Sequence, residues 1–151
     1  MTPSPKYLFK TLLLFSLLLS FFGCKVALLP PYEAQMVQQI EETAKSVDKF
    51  YMIMLEASAE ANDTRAYEKY VPQYVAIEVE LRALLNKNRV RPLNQHSTRI
   101  CEITLQLWQK YKAEHKKEKA LGNGEIRLNQ KTFNDLFYAM QVAEKGKDIA
   151  N

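Results

Sequence analysis

Residues 33–61 read EAQMVQQIEETAKSVDKFYMIMLEASAEA, and the spacing of their apolar side chains decides the fold class. Met36, Ile40, Ala44, Val47, Phe50, Tyr51, Met54 and Leu55 recur in steps of three and four. That is the repeat of one face of an α-helix, because 3.6 residues make a turn. Asn62-Asp63-Thr64 breaks the pattern and supplies cap-forming side chains for a second helix. Tyr67, Tyr70, Val71, Tyr74, Ile77, Leu81, Leu84 and Leu85 carry that helix to about Asn88. Pro72 lies inside it, and a kink or restart is expected where the ring removes one backbone donor.

Arg89-Val90-Arg91-Pro92 reads as a short connection. A third helix is expected from Pro92 or Leu93 to Leu121, with Leu93, His96, Ile100, Ile103, Thr104, Leu107 and Tyr111 on its inner face. Gly122-Asn123-Gly124 reads as its stop, since glycine suits the left-handed end of a helix. Residues 125–128 fit a loop or one short strand. The last helix is expected to start near Thr132, which stands with Asp135 at capping-box spacing, and to bury Phe133, Leu136, Phe137, Met140 and Ala143. Only four glycines occur in 151 residues, which disfavours a turn-rich β architecture. Short connections favour antiparallel neighbours, so the expected fold is all-α, an up-down four-helix bundle. Two long helical hairpins completed by a partner are the alternative.

Ahead of this domain the chain has a different character. Lys6 and Lys10 are the only charged side chains before an almost unbroken apolar run from Leu12 to Phe22, which Gly23, Cys24 and Lys25 close. A basic start, a short apolar core and a small residue before the break describe an export signal. As a helix, that run covers only about 17 Å, whereas a membrane span needs about 20 apolar residues. Lengthening it would bury Lys10 or Lys25, and Pro30-Pro31 stops any helix beyond.

On Gly23 and Cys24 this segment resembles bacterial lipoprotein precursors, whose lipobox ends in a small residue followed by cysteine. Phe21 and Phe22 depart from the usual lipobox residues, and Leu19-Ser20 looks like the expected pair displaced by two positions. The resemblance covers about the first 25 residues. It implies cleavage between Gly23 and Cys24, diacylglycerol on the Cys24 sulfur and an acylated amine, an anchor too greasy to leave a leaflet. The domains so expected are a signal peptide (1–23), a lipidated cysteine with its tether (24–32) and a helical domain (33–151). Lys25 is not the Asp that retains such proteins in the inner membrane of enteric bacteria, so the analogy favours the outer membrane, facing the periplasm.

Loss of Lys6 and Lys10 reduces the 21 basic side chains to 19 against 17 acids, too slight an excess to imply nucleic acid. In an up-down bundle the second connection and the C-terminus return to the tethered end. Lys87, Arg89 and Arg91, with Lys145 and Lys147, are therefore candidates for contact with acidic headgroups, weighed against an ordinary solvated loop and tail. The other end carries His115, Lys116, Lys117, Glu118 and Lys119, which a helix dipole explains without a partner.

No chemistry-bearing motif emerges. His96 and His115 are the only histidines, nineteen positions apart on one expected helix, so they do not share a metal ion. Haem-attachment, paired-cysteine, nucleophile-elbow and phosphate-loop patterns are missing from the sequence. An inward His96 with Met36, Met54 or Met140 could hold a haem, but methionines that fill core space are the preferred reading. Tyr67, Tyr70 and Tyr74 likewise read as core before they read as a sugar-stacking stripe. Cys101 reads as a buried thiol, and Trp108, off the expected stripe, as either a wider core face or a partner contact.

No catalytic residue, metal or cofactor is assigned. The expectation is a non-catalytic, lipid-anchored envelope lipoprotein with a structural or protein-interaction role. Its partners would be the membrane through Cys24 and an envelope protein, and its oligomeric state is left open. A small-ligand or haem-binding bundle, or an enzyme acting on the cell wall, is the alternative.

Overall fold

The computed structural model describes residues 29–57 and 64–150. The leader, Gly23 and Cys24 lie outside the described residues. Four helices follow one another: α1 (Ala34–Glu56), α2 (Tyr67–Arg89), α3 (Gln95–Glu118) and α4 (Asn123–Ala150). The described chain is all-α, and its helices pack as a four-helix bundle.

The helix backbones approach one another closely only between neighbours around a ring, with α1 most extensively joined to α4 and α2 to α3, while side chains such as Phe50 and Trp108 meet across it. Cross-helix pairs fix the directions. On α2, Tyr74, Glu78 and Arg89 meet His115, Lys112 and Glu102 of α3 in descending order. Between α1 and α4, Asp48 meets Gln130 while Glu33, at the start of α1, meets Glu144. Ser46 with Glu80, and Cys101 with Met140, repeat the pattern for the other pairs. Every neighbour is thus antiparallel, and the contact of α1 with α4 closes the ring. The open-hairpin arrangement is not adopted.

The core is aromatic at its centre. Phe50 meets Tyr51, Tyr70, Tyr74 and Trp108 edge-on, with centroids 4.7–5.8 Å apart. Tyr51 stacks on Phe133, and Trp108 meets the same ring edge-on. Such contacts add directional preference to the burial of large apolar area. The tyrosine stripe of α2 and the methionines Met36, Met54 and Met140 all belong to this interior.

Three expectations about element boundaries and faces are corrected. The inner face of α3 is Ser97, Cys101, Thr104, Leu105, Trp108 and His115, while Ile100, Ile103 and Leu107 are only half-buried. The helix is turned by about one residue because the Trp108 indole, with no exposure, fills the aromatic centre and donates to the Tyr74 carbonyl at 3.2 Å. His96 is consequently exposed, not inward, and does not face the buried methionines. The last helix starts at Asn123, nine residues before Thr132. Thr132 instead donates to the Leu128 carbonyl within the helix. Gly122-Asn123-Gly124 marks the beginning of α4 and not the end of α3. The Glu125 carboxylate reaches back to the Gly122 N–H at 2.9 Å, half of a capping box, and the Ile126 N–H takes the Gly122 carbonyl. The left-handed residue after α3 is Lys119, with φ 68°. Finally, α2 runs through Pro72 without a restart. The proline lies early in the helix, on its exposed side.

Candidate functional site: a buried ionic clasp at the tethered end

The residues at which the tether meets the bundle are joined by a buried polar network that spans three helices. Its hub is Glu144, on the phase of α4 that also buries Ile126, Phe133, Phe137 and Met140. The carboxylate is 1% exposed. Arg91, in the α2–α3 connection, donates to both of its oxygens at 2.9 Å. This planar two-point contact is the arrangement that a guanidinium makes best with a carboxylate. Lys147, one turn along α4, donates to Oε2 of the same group, and the Glu33 N–H donates to Oε1 at 3.1 Å.

From Lys147 the network continues to the other side of the connection. Its ammonium donates to Asn94 Oδ1 at 2.8 Å. Asn94 Nδ2 donates to the backbone carbonyl and to Oδ1 of Asn88, at 3.1 and 2.8 Å. Asn88 Nδ2 donates to the Leu84 carbonyl at 2.9 Å and faces Cys101 Sγ and Met36 Sδ. The connection bends sharply to allow this, with Leu93 at φ 59°.

The clasp also holds the incoming chain. Arg91 Nη2 donates to the Pro31 carbonyl, and Arg91 Nε lies 3.2 Å from Glu33 Oε1 as an ion pair without hydrogen-bond alignment. Two buried cations, Arg91 and Lys147, therefore share the buried Glu144, and the half-exposed Glu33 adds a second anion beside Arg91. The balance matters because an unpaired buried charge is strongly destabilising. Burial pushes the Glu144 carboxyl up, but the hydrogen bonds and charges of Arg91 and Lys147 outweigh that, and it stays below its ordinary value.

The three basic residues singled out from the sequence thus have different surroundings. Lys87 is exposed on the last turn of α2. Arg89 is exposed and paired to Glu102 at 3.0 Å. Arg91 is turned inward, its side chain 7% exposed, and its guanidinium is engaged by the clasp. Lys145 is exposed, whereas Lys147 is buried. Glu144, Asn88 and Asn94 were missed, although a signal existed. Glu144 and Asn88 fall on the same three-and-four rhythm as the apolar residues of their helices, where a polar side chain needs a buried partner.

Cys101 borders this network and is 3% exposed. Burial pushes its thiol up to about 12, so the reactive thiolate is suppressed. At the opposite end, Arg65 donates to the Leu55 and Ala57 carbonyls and so closes the C-terminus of α1. His115 has no exposure. Its Nε2 donates to the Arg65 carbonyl at 2.8 Å, and its Nδ1 accepts from the Tyr74 hydroxyl at 3.0 Å. Burial holds this imidazole below its ordinary value, hence neutral. Among the described residues, no three His, Cys, Asp or Glu side chains gather as a metal site, and no helix is long and apolar enough to cross a membrane.

No known protein family, curated protein or solved structure matches this chain. None of these comparisons links it to an enzyme.

Proposed function

We propose that this protein is a lipoprotein of the bacterial envelope, fastened to a leaflet through Cys24, whose helical bundle acts by contact with an envelope partner and not by catalysis. The observation that carries the reading is the leader that ends in Gly23-Cys24 after a basic start and an eleven-residue apolar run. The clasp supports it. A short tether that is tied to the bundle through Pro31 and Glu33 gives an anchored domain a defined attachment point. The Lys25 analogy favours the outer membrane, with the bundle in the periplasm.

The best-defined polar cluster is closed on itself. Glu144 is surrounded by donors, and Cys101 is buried with its thiolate suppressed, so neither is presented to a substrate. In cells that express the full chain, the protein is expected in the membrane fraction, and Cys24→Ser is expected to shift it to the soluble periplasmic fraction or leave it unprocessed. A Cys24→Ser chain that is still cleaved ahead of position 24 and still found in the membrane fraction would contradict the reading. Crosslinking in the intact envelope, with the anchored protein as bait, is expected to recover a reproducible protein neighbour.

A further inference from the structure

We infer that the clasp end of the bundle docks directly on the lipid leaflet, with Leu29, Val90, Leu93 and Ile149 entering the headgroup region and Lys87 and Lys145 against anionic lipid. This deepens the anchoring reading and rests on it.

The clasp itself places these residues together. Val90 flanks Arg91 and Leu93 precedes Asn94, while Leu29 lies two residues before Pro31 and Ile149 two residues after Lys147. Pro31, Arg91, Asn94 and Lys147 are joined through one hydrogen-bonded cluster, so their neighbours share one end of the bundle. Among the exposed large apolar side chains, Ile149 and Val90 are the most open, at 90% and 82%. The apolar exposure differs between the two ends. At the opposite end the exposed large apolar side chains among the described residues are Met52 and Ile53, on the last turns of α1, less open at 52% and 44%, while Leu121 is buried. Other exposed apolar residues, such as Val79 and Leu128, stand on the flanks of the helices.

The occupant follows from chain length and charge. From Cys24 to Pro31 an extended chain spans at most about 25 Å. An acylated Cys24 at the headgroup level therefore holds this end within about 25 Å of the leaflet. Apolar side chains beside lysines suit the lipid interface, where the former enter the acyl boundary and the latter meet anionic headgroups. Glu144 engages Arg91 and Lys147, so these two are not drawn to the surface, and the basic groups that face outward here are Lys87, Lys145 and the Glu102-paired Arg89, beside the exposed acids Glu33 and Asp148.

The test uses the mature lipidated protein reconstituted into vesicles of phosphatidylethanolamine and phosphatidylglycerol. Environment-sensitive probes are attached through Val90→Cys, Ile149→Cys or, at the opposite end, Lys117→Cys. Bromine in the upper acyl chain is expected to quench the probes at positions 90 and 149 several-fold more than the probe at 117. Equal, weak quenching at all three positions in protein that still sediments with the vesicles would overturn docking while leaving the anchor intact. Shielding of positions 90 and 149 that grows with protein concentration in detergent without a bilayer would also overturn it, pointing to a second copy as the cover. Failure of the protein to sediment at all would overturn the anchor, and docking with it.

Discussion

Single residues of this protein are most exposed to test where polarity meets burial. Glu144→Ala leaves Arg91 and Lys147 buried without their shared anion and is expected to destabilise the fold by about 3–5 kcal/mol, measured by urea denaturation. A loss below about 1 kcal/mol would mean that the clasp is not formed in solution. The same residue contributes a pH dependence. Its folded-state value is depressed, so its stabilisation is present above the ordinary carboxylate range and is lost as pH falls through the folded value. His115, a base held neutral by burial, acts in the same direction. Its contribution is full above 6.5 and is lost as pH falls through its lowered folded value, because the unfolded chain binds the proton first. Denaturation midpoints are therefore expected to fall below pH 6.5 through His115 and to fall further below pH 4.5 through Glu144; a flat profile in the first range would contradict the His115 assignment and in the second the Glu144 assignment. Tyr51 tests the opposite case. Its hydroxyl is buried with no hydrogen-bond partner among the described residues, so Tyr51→Phe is expected to leave stability unchanged or raise it by up to about 1 kcal/mol. A marked loss in the same denaturation assay would show that the hydroxyl has a partner.

At the scale of the helices, the sequence was legible wherever apolar side chains were large and periodic, and misleading where a turn residue had two readings. The faces of α1 and α2 follow Met36, Ile40, Val47, Phe50 and Tyr51, and Tyr67, Tyr70, Tyr74 and Ile77, as the spacing predicts. On α3 two rows compete. Ile100, Ile103 and Leu107 form one, and Cys101, Thr104 and Trp108 the other. Hydrophobicity alone favours the first, but the volume of one indole in an aromatic centre selects the second. The start of α4 failed for another reason. Gly122 was read as an ending, whereas its N–H is held by Glu125 three residues on, which makes it a beginning. Glu125→Ala is expected to cost about 0.5–1 kcal/mol and to speed amide exchange in the first turn of α4. Unchanged exchange there would remove Glu125 from the cap.

For the whole molecule, the bundle closes on itself, and its two ends differ. One is sealed by the Arg65 and His115 contacts beneath exposed Lys116 and Lys117. The other gathers the chain start, the α2–α3 connection and the C-terminal turns of α4 around Glu144. The candidate site was only partly readable. Arg91 was noticed for its charge and assigned to the surface, because its buried partners lie more than fifty residues away in sequence. What makes the clasp functionally meaningful is the proposed lipid on Cys24, since a domain tied at one end to a short acylated tether presents its remaining surface outward. The most direct measurement is the mass of the N-terminal peptide of the mature protein isolated from membranes. The account predicts a chain that begins at position 24 and carries diacylglyceryl and acyl groups there; an unmodified sulfur, or a chain that still bears residues 1–23, would contradict it.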